Sequence, residues 1–198
     1  MYFKGKKYRF LFSILVMFLV VASPATFANG SISIPDGFCW QKLGKIKSKV
    51  LKPRKWHCKK SVKEGNIIYS ITKERRNFRG KFLTGLTINT VRNVTKKTKI
   101  NAELFAAYYI FDYMEESENV LDKWERDDGV FVRYGCEVRK KISKAHPDIT
   151  FRIRVSAIAN TKTDTMYVVI FGCPEEEWQS VSNIEKVMVN PLVLSEKF

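Results

Sequence analysis

Thr165-Met166-Tyr167-Val168-Val169-Ile170-Phe171-Gly172-Cys173 is apolar in both registers of an extended chain. Met166, Val168 and Ile170 fall on one side, and Tyr167, Val169 and Phe171 on the other. A strand with no side left for water belongs in the middle of a sheet covered on both faces. Upstream, Ile149 to Ile158 alternates, with Phe151, Ile153, Val155 and Ala157 inward and Arg152 and Arg154 outward. Before it, Val130, Val132, Tyr134, Cys136 and Val138 alternate with Phe131, Arg133, Gly135, Glu137 and Arg139. Downstream, Pro174 stands where a helix would begin, Glu175 to Glu177 suit its N-terminus, and Trp178, Val181, Ile184 and Met188 form a buried stripe that ends at Pro191. Those carboxylates read as a cap.

The remaining chain fills in around this centre. Asn101 is an N-cap for a helix over Ala102 to Ser117, whose buried face is expected to hold Leu104, Tyr108, Phe111 and Met114. Val120 to Glu125 reads as a short connection closed by the Asp127-Asp128-Gly129 turn. Nearer the start, Lys45, Lys47 and Lys49 alternate with Ile46, Ser48 and Val50 in a strand ended by Pro53. Trp56-His57-Cys58 and Asn66 to Thr72 read as strands joined by a polar Lys59 to Gly65 connection, and Phe82 to Val94 holds another. The fold class is α+β: a single domain whose antiparallel sheet is covered by helices in an α-β-α sandwich.

The first 28 residues have the layout of a secretory signal peptide. Lys4, Lys6, Lys7 and Arg9 precede an apolar run from Phe10 to Ala22, Pro24 breaks it, and Thr26-Phe27-Ala28 presents small residues to a peptidase. Cleavage after Ala28 leaves residues 29–198 as the mature domain, without a transmembrane span, secreted or periplasmic. From Asn29 to Ile100 the chain holds 19 Lys/Arg against three acids, and from Asn101 to Phe198 it holds 12 against 17. A basic half of this kind favours an acidic protein or an anionic envelope surface, whereas nucleic acid is the less favoured partner. Its densest clusters are Lys45, Lys47 and Lys49 on one strand face and Arg75, Arg76, Arg79 and Lys81 in the following loop, and these are the expected partner-binding residues. A highly soluble lysine-rich surface is the plain alternative.

Cys39, Cys58, Cys136 and Cys173 allow three pairings. Their spacings match neither a zinc site nor a C-x-x-C redox centre. A Cys39–Cys58 bridge is favoured, since it closes a short loop between neighbouring strands. Cys136 and Cys173 are expected two strands apart, about 9.6 Å by the usual spacing and beyond disulfide reach. His57 and Cys58 are neighbours on a strand and point to opposite faces, which argues against a nucleophile–base pair. Arg133, Arg139, Arg152 and Arg154 share a hairpin face with Glu137, either as an anion-binding surface or, by preference, as cross-strand ion pairs. No hydrolase, zincin or phosphate-loop motif is present, so no catalytic residue, metal ligand or cofactor is expected.

Phe82 to Asn89, Ala157 to Tyr167 and Phe171 to Trp178 resemble the PsbP-like group, over roughly Pro35 to Leu194. That group joins photosystem II extrinsic subunits, a Ran-binding nuclear import factor and uncharacterised exported bacterial proteins. The resemblance implies an α-β-α sandwich and a role in binding or organising other proteins, with no catalytic residues to carry over. The expected function is an exported, non-enzymatic binding or assembly protein, with attachment to anionic lipid or polymer as the alternative. Oligomeric state has no sequence signal.

Overall fold

The computed structural model describes residues 33–44, 48–75, 83–141 and 148–195. Residues Ile32–Phe198 form one compact unit. The expected signal peptide lies outside the described residues, as do Lys45, Lys47, Arg76, Arg79 and Lys81.

The elements run β1 (Phe38–Lys42), β2 (Lys49–Pro53), β3 (His57–Lys63), β4 (Asn66–Thr72), β5 (Gly85–Arg92), α1 (Val94–Thr98), α2 (Ala102–Glu115), β6 (Asn119–Asp127), β7 (Phe131–Lys141), β8 (Thr150–Asn160) and β9 (Thr165–Pro174). A 3-10 turn at Glu175–Glu177 leads into α3 (Trp178–Val189). β1 and β2 form a small hairpin sheet, and the other strands form one antiparallel sheet in the order β3-β4-β5-β9-β8-β7-β6. The doubly apolar strand, β9, is the middle one of the seven, as its composition requires. Met166 and Val168 enter one core with α2, Val155 and Cys136, while Tyr167, Val169 and Phe171 enter another with Val181 and Met188 of α3. The small sheet contributes Val50 to this second core, beside Leu43.

Two segments expected to be connections are strands. Lys59 to Lys63 continues β3, and only Glu64 and Gly65 turn the chain, both at positive φ (51° and 75°). That pair suits a two-residue hairpin turn. Asn119 to Asp127 is β6, paired with β7 through a bulge at Val120/Asp122. β3 and β6 are the outer strands of the large sheet. Outer strands carry charge rather than a clean apolar alternation, and that charge guards an edge against stray pairing.

All four cysteines are free thiols. The expected Cys39–Cys58 bridge is not formed, and the two residues do not occupy neighbouring strands of one sheet: Cys39 sits opposite Lys52 in the small hairpin and Cys58 opposite Ile71 in the large sheet. Cys136 and Cys173 are fully buried with β8 between their strands, as expected. Burial pushes the Cys136 thiol up to about 11 and the Cys173 thiol up to about 12, so both stay protonated and inert at neutral pH.

Candidate functional site

α2 starts where Asn101 accepts the Leu104 backbone N–H on its side-chain oxygen at 2.8 Å. Two apolar stripes on this helix compete for the sheet. Ala102, Ala106 and Ile110 win: they are buried, with Phe105, Tyr109 and Tyr113 packed half-buried beside them. The two alanines let the helix backbone sit close to the sheet, which the bulkier stripe would not permit. Of the expected buried face, Leu104, Tyr108 and Phe111 are instead 43%, 51% and 51% exposed, and only Met114 is half-buried against the core.

α2 packs mainly on β8 and β7. Between the flank of the helix and the outer strand β6 lies a groove of about 530 Å³. Tyr108, Phe111 and Met114 form its helix wall, and Lys123, Glu125 and Tyr134 its strand wall. Glu125 pairs with Tyr134 and Asp127 with Val132, in the same register as Cys136, which faces α2. Trp124 points the other way. Its indole covers Gly135, where an added Cβ would fall 2.1 Å from the ring, and the Arg154 guanidinium lies over it at 4.7 Å.

The groove's own lining carries one lysine and one carboxylate, Lys123 and Glu125, while the segment around it is acidic. Residues 101–128 hold nine carboxylates against Lys123 and Arg126. Glu103, Glu125 and Asp127 are exposed and make no ion pair among the described residues. They gather around the Tyr134 phenol, whose pKa is raised first by burial and then by the charges of Glu125, Glu103 and Asp127.

The arginine face behaves differently. Arg152 donates from Nε to Glu137 at 2.6 Å and, with Arg139, also meets Glu175. Arg154 pairs with the buried Glu185, and Arg133 with Asp128. Every arginine of this set is thus engaged, but only Arg152–Glu137 is a cross-strand pair; the other partners come from turns and from α3. Glu175 to Glu177 stand at the helix start as expected, but none of them makes a side-chain cap hydrogen bond. Glu175 answers Arg139 and Arg152, and Glu177 answers Lys73 at 2.9 Å. The arginines, arriving from adjacent strands, offer stronger partners than backbone N–H groups do.

Of the residues expected to bind a partner, Lys49 and Arg75 are described. Lys49 sits over the Trp40 ring at 4.2 Å, and its backbone pairs with Val193. Arg75 is exposed at the start of its loop. A second cavity, about 220 Å³, lies at the β3–β4–β5 end of the sheet between Leu43, Lys60, Tyr69 and Tyr167. Among the described residues no cluster of three or more His, Cys, Asp or Glu side chains could hold a metal, and no helix is long and apolar enough to cross a membrane.

Fold and groove together define an α+β domain with a sheet-edge cleft. Solved structures similar to it include the cyanobacterial PsbP of Synechocystis sp. PCC 6803, at TM-score 0.45 and 14% identity over 81% of this chain and 94% of that one. The Ran-binding protein Mog1p of Saccharomyces cerevisiae is similar at TM-score 0.46 and 18% identity, over 75% and 83%. Protein PA94 of Pseudomonas aeruginosa, of unknown function, is similar at TM-score 0.44 and 10% identity, over 79% and 96%. No protein-family model matches the chain, and no curated protein does. At these identities and TM-scores the likenesses assign this chain neither a family nor an activity.

Proposed function

We propose that this chain is an exported, non-enzymatic binding or assembly protein of the cell envelope or exterior, in the exported bacterial branch of the PsbP-like group. One observation carries the reading: Leu104, Tyr108 and Phe111 are exposed at helical spacing on α2, and Tyr108 and Phe111 line a groove. Aromatic side chains held out of the core on a rigid helix are the usual anchors of a protein contact. The sequence supports export, and the resemblance supports a role in organising other proteins. Affinity capture of the mature chain from its own envelope or culture fluid tests the proposal, run beside Phe111→Asp. A partner retained by the natural chain and lost from the variant is expected, with unchanged melting. Failure to capture any partner, together with a reproducible turnover reaction, would sink the reading.

A second reading has its own support. Lys59, Lys60 and Lys63 on the outer strand β3 make no ion pair among the described residues. Together with the Lys/Arg excess between Asn29 and Ile100 they favour an acidic protein, anionic lipid or polymer. Co-sedimentation with anionic vesicles, lost as salt rises, would favour attachment to the envelope surface.

A further inference from the structure

We infer that the α2–β6 groove receives an extended, cationic and amphipathic segment of another protein, laid alongside the outer edge of β6. The inference rests on the binding reading above and names the partner's chemistry. Three features converge on it. β6 is hydrogen-bonded to β7 on one side and, among the described residues, ends the sheet on the other, where a further strand could pair, although the Lys123 N–H already donates to Asp122. Every second side chain of an added strand would point into the groove, where Tyr108 and Phe111 offer apolar surface. Glu103, Glu125 and Asp127 lie within electrostatic reach of Tyr134 in its lining, make no ion pair among the described residues, and outnumber Lys123, which also lines the groove. Lysines or arginines flanking the apolar anchors would meet them, and an acidic segment or an anionic headgroup would be repelled. A second copy of this chain is the weaker occupant, because its overall formal charge of +15, or +11 without residues 1–28, opposes self-approach.

Short synthetic peptides supply the probes: alternating lysine and leucine, alternating glutamate and leucine, and alternating lysine and serine. Fluorescence anisotropy on the mature chain is expected to show the lysine–leucine peptide binding roughly tenfold or more tighter than either other peptide, the factor set by losing charge pairing or an apolar anchor. Phe111→Asp and the double variant Glu103→Gln/Glu125→Gln should each weaken that peptide by a similar factor, with melting temperatures unchanged because all three side chains are exposed. Equal binding of the glutamate peptide, or indifference to both variants, would overturn the inference. So would a Phe111-dependent dimer in sedimentation, which would seat a second copy in the groove. If native capture depends on Phe111 while the peptides show no charge preference, this inference fails and the binding reading stands. If capture ignores Phe111 as well, both fail.

Discussion

At the scale of single residues, the fit is tightest where Trp124 lies over Gly135. Any side chain at 135 drives into the indole, which is sandwiched between β7 and the Arg154 guanidinium. Gly135→Ala should therefore cost about 1–3 kcal/mol through overpacking and shift the tryptophan emission as the ring is displaced. Denaturant unfolding with unchanged midpoint would contradict this. The carboxylates beneath α3 give a pH signature of opposite signs. Hydrogen bonding from Arg139 holds Glu175 below the ordinary carboxylate range, whereas burial pushes Glu185 above it despite Arg154. A depressed folded pKa means the Glu175 contribution is complete above the unfolded pKa of about 4.3 and is lost as pH falls through the lower folded value. The Glu185 contribution runs the other way: it is complete below the unfolded pKa and is lost as pH rises through the raised folded value. Glu175→Gln should lower stability at pH 7 and flatten the acid limb of the melting curve below pH about 4. Parallel melting-versus-pH curves for variant and natural chain would refute the assignment.

At the scale of elements, α2 depends on one residue to begin it. The Asn101 side chain satisfies the Leu104 N–H, so Asn101→Ala should cost about 1 kcal/mol, read as a lower urea midpoint at constant slope. The start of α2 was legible in the sequence because a cap is a local signal. The face was not. Ala102 to Met114 is apolar almost all round, and the choice between stripes depends on how closely the helix can approach the sheet, a distance that no periodicity encodes. The groove was hidden for that reason, since its helix wall is made from residues that read as core. β9 was legible because it is apolar in both registers, and α3 because Trp178, Val181, Ile184 and Met188 recur at helical spacing, although the burial of Glu185 beside them was not foreseen. β3 and β6 were not, since strands at a sheet edge are written in lysine and acid and share their composition with loops. The acidic cluster around Tyr134 could have been suspected from the nine carboxylates between 101 and 128, but only strand pairing brings Glu125 and Asp127 alongside a helix residue such as Glu103.

At the scale of the molecule, β9 supplies buried side chains to both cores, and opening either exposes an apolar side of it. The amides of Val168 to Phe171 should accordingly exchange with deuterium only through global unfolding, more slowly than those of β3 or β6. Exchange measured by mass spectrometry or NMR in which an outer strand outlasts β9 would contradict the two-core description. That strand also sets an order of events during synthesis. β3-β4-β5 and β8-β7-β6 are both complete by Asn160, yet the piece that joins them, β9, spans Thr165–Pro174 and pairs Gly85 with Gly172 across most of the domain. A ribosome that has delivered 160 residues has thus released two half-sheets with no seam between them and neither core closed. Both cores stay open until β9 emerges, so the order of synthesis and the order of closure are set by the same strand.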